Sequence, residues 1–166
     1  MGNLHIRRAR PADLERLIRE LGQRRFFADR FARQAGRSGT LLTAWRGNRP
    51  VGVIYLWLEA AEEEELRTRL PGTPILNHLE IHADHRGRGI GTRLITAAER
   101  RLRMLGFAEV ALAVEVTNER AARLYKRLGY EDWPYPEVRC YSLTDGKGER
   151  HVEICRIMVK PLLREV

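Results

Sequence analysis

The 166-residue sequence has little sulfur, little lysine and no long apolar stretch. Its two cysteines, Cys140 and Cys155, have no metal-like spacing, so no metal site is expected and a reduced, cytoplasmic setting is. No apolar run approaches the roughly 20 residues needed to span a bilayer, so no membrane association is expected. Residues 1–10 are arginine-rich and lack the apolar core of a signal peptide. Met1-Gly2 opens like a myristoylation signal, but Ile6 stands where Ser or Thr is required. Repeats, low-complexity tracts and linkers are also missing, and the length suits a single domain over residues 1–166.

Arginine is abundant. Thirty Lys and Arg against 22 Asp and Glu give a net charge of +8, and only Lys126, Lys147 and Lys160 are lysines. The arginines are spread along the chain, as on a solvated surface. No segment resembles a motif that reads RNA or DNA, so nucleic acid is not an expected partner.

The periodicities predict an alternating strand over residues 4–8, then a helix from Pro11 with Leu14, Leu17, Ile18 and Leu21 on one stripe, ending at Gly22. Phe26, Phe27, Phe31 and Ala35 predict a second helix; these aromatics suit a core or the wall of a substrate pocket. Residues 40–46 and 51–58 read as a hairpin around a loop of about four residues, the second run apolar on both faces and therefore central. An acidic connection follows, Glu59 to Glu65 and then Leu66 to Pro74, with about one helical turn. It is read as a solvated face or as an acidic lip that attracts an amine. Residues 75–83 read as a strand, with Leu79 and Ile81 on one face and His78, Glu80 and His82 on the other. A helix from Ile90 to about Leu105, a strand over 107–116, a helix over 118–128 and two strands around a turn at 144–148 complete the order. The expected fold is α/β: a mixed, mostly antiparallel central sheet with helices on both faces.

Between the strand at 75–83 and its helix lies Arg86-Gly87-Arg88-Gly89-Ile90-Gly91-Thr92. Glycine lets backbone N–H groups turn inward. The first turn of a helix leaves those groups unpaired and carries partial positive charge, which suits a phosphate. A dinucleotide fingerprint would place its third glycine at position 92, which is Thr92, and no Gly-Lys-Ser/Thr run marks a P-loop.

The stretch resembles the Arg/Gln-x-x-Gly-x-Gly/Ala signature of the GNAT superfamily, the acyl-CoA-dependent N-acyltransferases. Downstream, Asn118-Glu119-Arg120-Ala121-Ala122-Arg123-Leu124-Tyr125-Lys126-Arg127-Leu128-Gly129-Tyr130 resembles its Asn-x-x-Ala-x-x-Leu-Tyr-x-x-x-Gly-Phe/Tyr segment. The element order agrees as well. Residues 1–38 and 59–74 match least.

The resemblance implies acetyl-CoA as cosubstrate and no metal. Its pyrophosphate would lie on the backbone amides of Gly87, Arg88, Gly89, Ile90, Gly91 and Thr92, with Arg86 adjoining. The pantetheine arm would run along Leu79, Glu80 and Ile81, where the next strand splays away. Asn118 would contact the arm, or serve as a helix cap, or both. Tyr125, two helical turns on, would be the general acid for the departing thiolate; its bland role is that of a core tyrosine. The implied reaction is direct attack of a primary amine on the acetyl carbonyl in a ternary complex. The alternative is a non-catalytic acyl-CoA-binding module of the same fold.

The base is less legible. One branch, the ribosomal-protein N-terminal acetyltransferases, has a glutamate five residues before the asparagine, where this chain has Ala113. Glu115 shares that strand parity but stands further along. Glu80 is the first choice, with a water chain as competitor. The acceptor stays open among polyamines, aminoglycoside-like compounds, amino acids, and a protein N-terminus or lysine. Homodimers are common in the family, which makes a homodimer an expectation too.

Overall fold

The computed structural model describes residues 3–143 and 150–162. The turn read at 144–148 lies outside the described residues. In chain order the elements are β1 (Leu4–Arg8), α1 (Leu14–Leu21), α2 (Arg24–Ala35), β2 (Gly39–Arg46), β3 (Arg49–Trp57), α3 (Glu64–Arg69), β4 (Ile75–Ile81), α4 (Ile90–Met104), β5 (Glu109–Glu115), α5 (Glu119–Arg127), β6 (Glu131–Asp132), β7 (Val138–Leu143) and β8 (Arg150–Pro161). Among the described residues, eight strands form one sheet in the order β1-β2-β3-β4-β5-β8-β6, with β7 also on β8. Among the described residues, only β4 and β5 pair in parallel.

Helices cover both faces. Ile90, Leu94, Ile95, Ala98 and Leu102 of α4 join Ala122 of α5 over Leu42, Ile54, Leu56 and Leu112. Leu17 of α1 and Phe26 and Phe27 of α2 cover the opposite face, over Leu41, Val53, Tyr55 and Trp57. Strand β3 thus alternates between two cores, as its doubly apolar sequence predicts.

Boundaries differ from the pattern where local chemistry intervenes. The β2–β3 loop has two residues, not four, because Arg46 pairs with Arg49 across Gly47 and Asn48. A register shift beside Trp45 lets Pro50, which has no N–H to donate, enter the strand. Strand β4 stops at Ile81, two residues early, and Ala83–His85 forms a single 3-10 turn.

Two features of β4 position the site. Its pairing with β5 is confined to Ile75↔Ala111 and Leu76↔Leu112, after which β5 continues on β8 and the two strands part. Its pairing with β3 runs Tyr55↔Asn77, then Val53↔Glu80. Two residues of β4, His78 and Leu79, therefore face one of β3. That is a bulge, and His78 takes the left-handed φ of 52°.

Candidate functional site

The glycine turn is built as an open helix start. Gly87 and Gly89 have φ of 75° and 77°, which L side chains adopt only at a cost. Gly89 is the N-cap of α4, with no side chain capping the helix. Arg93 N–H closes the first intrahelical bond to Gly89 O at 3.1 Å. The amides of Ile90, Gly91 and Thr92 precede it in the orphan first turn, free for an anion. Arg88 is exposed, and Arg86 Nε donates to Ile81 O at 3.3 Å, tying the turn to the end of β4.

Leu79 and Ile81 pack toward α4, as alternation predicts. Glu80 faces the other way, where its Oε2 lies 2.7 Å from His78 Nε2. Both side chains are about one quarter exposed. The His78 ring stacks on Phe26 with centroids 3.7 Å apart. Asn77 shares this face, since Arg30 donates to its Oδ1 at 2.8 Å. Asn77 and Leu79 have the same parity yet face opposite sides, and the bulge is the reason. His82, expected beside Glu80, is engaged elsewhere: its Nδ1 accepts from Asp84 N–H at 3.1 Å and its ring meets His85 edge-on.

A cleft of about 90 Å³ opens where β4 and β5 part. Asn77, His78 and Ala113 line its fork, with Arg30 on one side and Glu62, Glu63, Cys140 and Tyr141 on the other. Burial, reinforced by the charges of Glu62 and Glu65, raises the Glu63 carboxyl above its ordinary value. The acidic stretch thus stands at the rim of this cleft. Glu115 is exposed, faces Cys155 on β8, and does not line it.

Arg30 is a site residue that sequence reasoning missed. It is 6% exposed, and its guanidinium lies 4.8 to 5.2 Å from the rings of Phe26, Tyr55 and Trp57. Asp29 pairs with both Arg30 and Arg33, and Arg33 also binds Glu59 at 2.8 Å. Burial works against the Asp29 carboxylate, yet bonds from Arg33 and Arg30 hold its pKa below the usual range. The only sign in the sequence is an arginine within an aromatic stripe.

Asn118 is the N-cap of α5, its Oδ1 accepting from Ala121 N–H at 3.1 Å. That leaves the amide NH₂ for another partner. Tyr125 packs against the main core, edge-on to Tyr130 at 5.7 Å. Burial pushes its phenol up to about 12, so it stays protonated at neutral pH.

The sequence model of the acetyltransferase (GNAT) family matches residues 6–130. The chain belongs to this GNAT acetyltransferase family. An uncharacterized N-acetyltransferase of Methanocaldococcus jannaschii is 34% identical over 87 residues, 51% of this chain and 35% of that protein. The matches to the curated relatives reach between about a third and a half of those proteins' own lengths. In fold, the chain is similar to the ribosomal-protein-S18-alanine N-acetyltransferase of Escherichia coli, with a TM-score of 0.72, 18% identity and coverage of 99% of this chain and 97% of that one. It is also similar to the PaiA N-acetyltransferase of Thermoplasma acidophilum, solved with coenzyme A, with a TM-score of 0.65, 18% identity and coverage of 96% and 99%. No helix among the described residues is long and apolar enough to cross a membrane.

Proposed function

We propose that the chain transfers the acetyl group of acetyl-CoA to a primary amine that enters the cleft at the β4–β5 fork, by direct attack in a ternary complex. The observation that carries this is the unpaired edge of β4. It runs from the glycine turn at one end to the cleft at the other, where His78 lines the fork with Glu80 bonded behind it.

The residues present fit the cosubstrate. Gly87, Arg88, Gly89, Ile90, Gly91 and Thr92 would hold the pyrophosphate, with Arg86 adjoining. The backbone of Leu79, Glu80 and Ile81 would pair with the pantetheine arm, and the free amide of Asn118 would reach it. The Thermoplasma neighbour, of the same fold, binds coenzyme A. Acetyl-CoA supplies a thioester, an acyl group activated toward amines.

The remaining steps belong to the chain. A primary amine is an ammonium at neutral pH and must lose a proton before it attacks. Glu80, oriented by His78, takes it. Backbone N–H groups on the splayed strand edge stabilise the oxyanion. Tyr125 donates to the departing sulfur. With its pKa raised to about 12, it keeps its proton at neutral pH and has it available for the thiolate. Glu62 and Glu63 at the rim favour a cationic acceptor.

The test is thiol release from acetyl-CoA across a panel of polyamines, aminoglycosides, amino acids and peptides, read beside a thermal shift with acetyl-CoA. A shift with turnover of at least one amine is expected, and Glu80→Gln should lower kcat about 10²-fold. No shift overturns the reading. A shift without turnover of any amine makes the chain a non-catalytic acyl-CoA-binding module.

A further inference from the structure

A buried polar cluster lies outside the site and converges on Glu99 of α4. Glu99 is 4% exposed. Its Oε2 accepts from the Tyr130 hydroxyl at 2.7 Å and its Oε1 from Lys160 Nζ at 2.9 Å, with the Arg103 guanidinium 3.8 Å away. A buried carboxylate is tolerated only when both oxygens find such partners. The donors come from different elements: Tyr130 follows the end of α5, and Lys160 is on β8.

Tyr130 backs Tyr125 directly. Its ring is 1% exposed and meets Tyr125 edge-on, at 5.7 Å and 69°. Its N–H donates to Tyr125 O at 3.0 Å. The Tyr125 hydroxyl has no hydrogen-bond partner among the described residues, so ring packing alone locates it. Helix α4 begins at the glycine turn, and α5 carries Asn118 and Tyr125. Glu99 therefore links the helix of the cofactor cradle to the residue behind the proposed acid.

We infer that Glu99 and Tyr130 are positioning residues: their buried bridge sets where the Tyr125 phenol stands relative to the glycine turn. This rests on the role proposed for Tyr125 above. Tyr130→Phe keeps the ring and removes the bond to Glu99. It should lower kcat about tenfold and leave KM for acetyl-CoA within about twofold, since the cradle is untouched. In a Tyr125→Phe background it should cost nothing further, because the lost effect passes through Tyr125. Glu99→Gln, which still offers Tyr130 an acceptor, should retain most of the parent kcat.

Spectra of the protein with ¹³C-labelled tyrosine rings give a readout that needs no acceptor. The Tyr125 signal, identified by its loss in Tyr125→Phe, should shift or broaden in Tyr130→Phe. An unmoved signal, an unchanged kcat, or a loss that adds in full to that of Tyr125→Phe overturns the positioning role. Failure of the acid reading looks different: Tyr125→Phe itself leaves kcat unchanged. Should Tyr130→Phe not fold, Tyr130→Phe combined with Glu99→Leu and Lys160→Met replaces all three bonded partners by apolar groups and carries the same measurements.

Discussion

Gly89 and Gly91 stand two residues apart in the same turn, and backbone conformation gives them opposite sensitivities. Gly89 holds φ at 77°, and a Cβ there would meet nothing within 4 Å. The cost of Gly89→Ala is therefore backbone strain alone, about 1–2 kcal/mol. At this chain length each kcal/mol moves Tm by about 2–4 °C, so the ligand-free protein should melt about 2–8 °C lower. Gly91 lies inside α4, where its Cβ would make an ordinary 3.6 Å contact with Leu79 Cδ2. Gly91→Ala removes a helical glycine and should stabilise by about 0.5–1 kcal/mol. Ligand affinity separates them further. An alanine at 89 relieves its strain by leaving the left-handed region, which swings at least one amide out of the cradle. A hydrogen bond to a charged group contributes about 1.5–3 kcal/mol, so acetyl-CoA should bind about 10- to 150-fold more weakly. The GNAT signature accepts Gly or Ala where this chain has Gly91, so that variant should bind within about threefold of the parent. Thermal unfolding without ligand and calorimetric titration with acetyl-CoA measure both quantities. Gly89→Ala binding acetyl-CoA as tightly as the parent would refute the cradle, and a less stable Gly91→Ala would refute the strain argument.

Two further outcomes follow from tyrosines packed against the cores. The Tyr125 phenol titrates near 10 when unfolded and is pushed up to about 12 when folded, so the native state binds its proton more tightly. That stability is fully present below pH 10 and is lost as pH rises toward 12, at about 1.4 kcal/mol per pH unit. Tyr125→Phe should flatten the alkaline limb of urea-unfolding stability by about that slope, and an unchanged slope would show that the ring is not buried as described. Gly39→Ala would drive a Cβ into the Tyr55 phenol and to 2.5 Å from Leu56 O. Overpacking of this kind against a fixed strand costs about 3 kcal/mol, and a Tm within 2 °C of the parent would contradict it.

Much of this architecture is legible because the chain states it locally. Alternation in β3 and the 3.6-residue stripe of α4 place both cores, and Gly89 before Ile90 marks the open helix start. Less legible is whatever depends on pairing across the sheet. The bulge at His78 leaves no mark in the alternation of Leu79, Glu80 and Ile81, yet it decides that Asn77 joins His78 rather than Leu79. The same limit hides Arg30, whose charge is balanced by Asp29 next to it and whose hydrogen bond goes to Asn77, 47 residues away. His82 misled for a local reason: it is the cap of a 3-10 turn, so its ring follows the turn and not the strand parity.

The bulge also explains how one short strand can face three environments. A regular β4 would have to send Asn77 into the apolar core beneath α4, where an unpaired amide is costly. The extra residue moves Asn77 onto the side of Arg30 and leaves Leu76, Leu79 and Ile81 in that core. His78 bears the cost, a left-handed φ of order 1–2 kcal/mol for a residue with a Cβ. Its stack on Phe26 and its bond to Glu80 offset that cost, and both contacts lie on the cleft side. The strain is therefore held in place by Phe26 and Glu80, on either side of a residue that lines the fork of the cleft. Local strain of this kind, over-determined by its neighbours, is what a preorganised site requires. It is also why the unpaired edge of β4, and not the helix start alone, ties the glycine turn to the cleft.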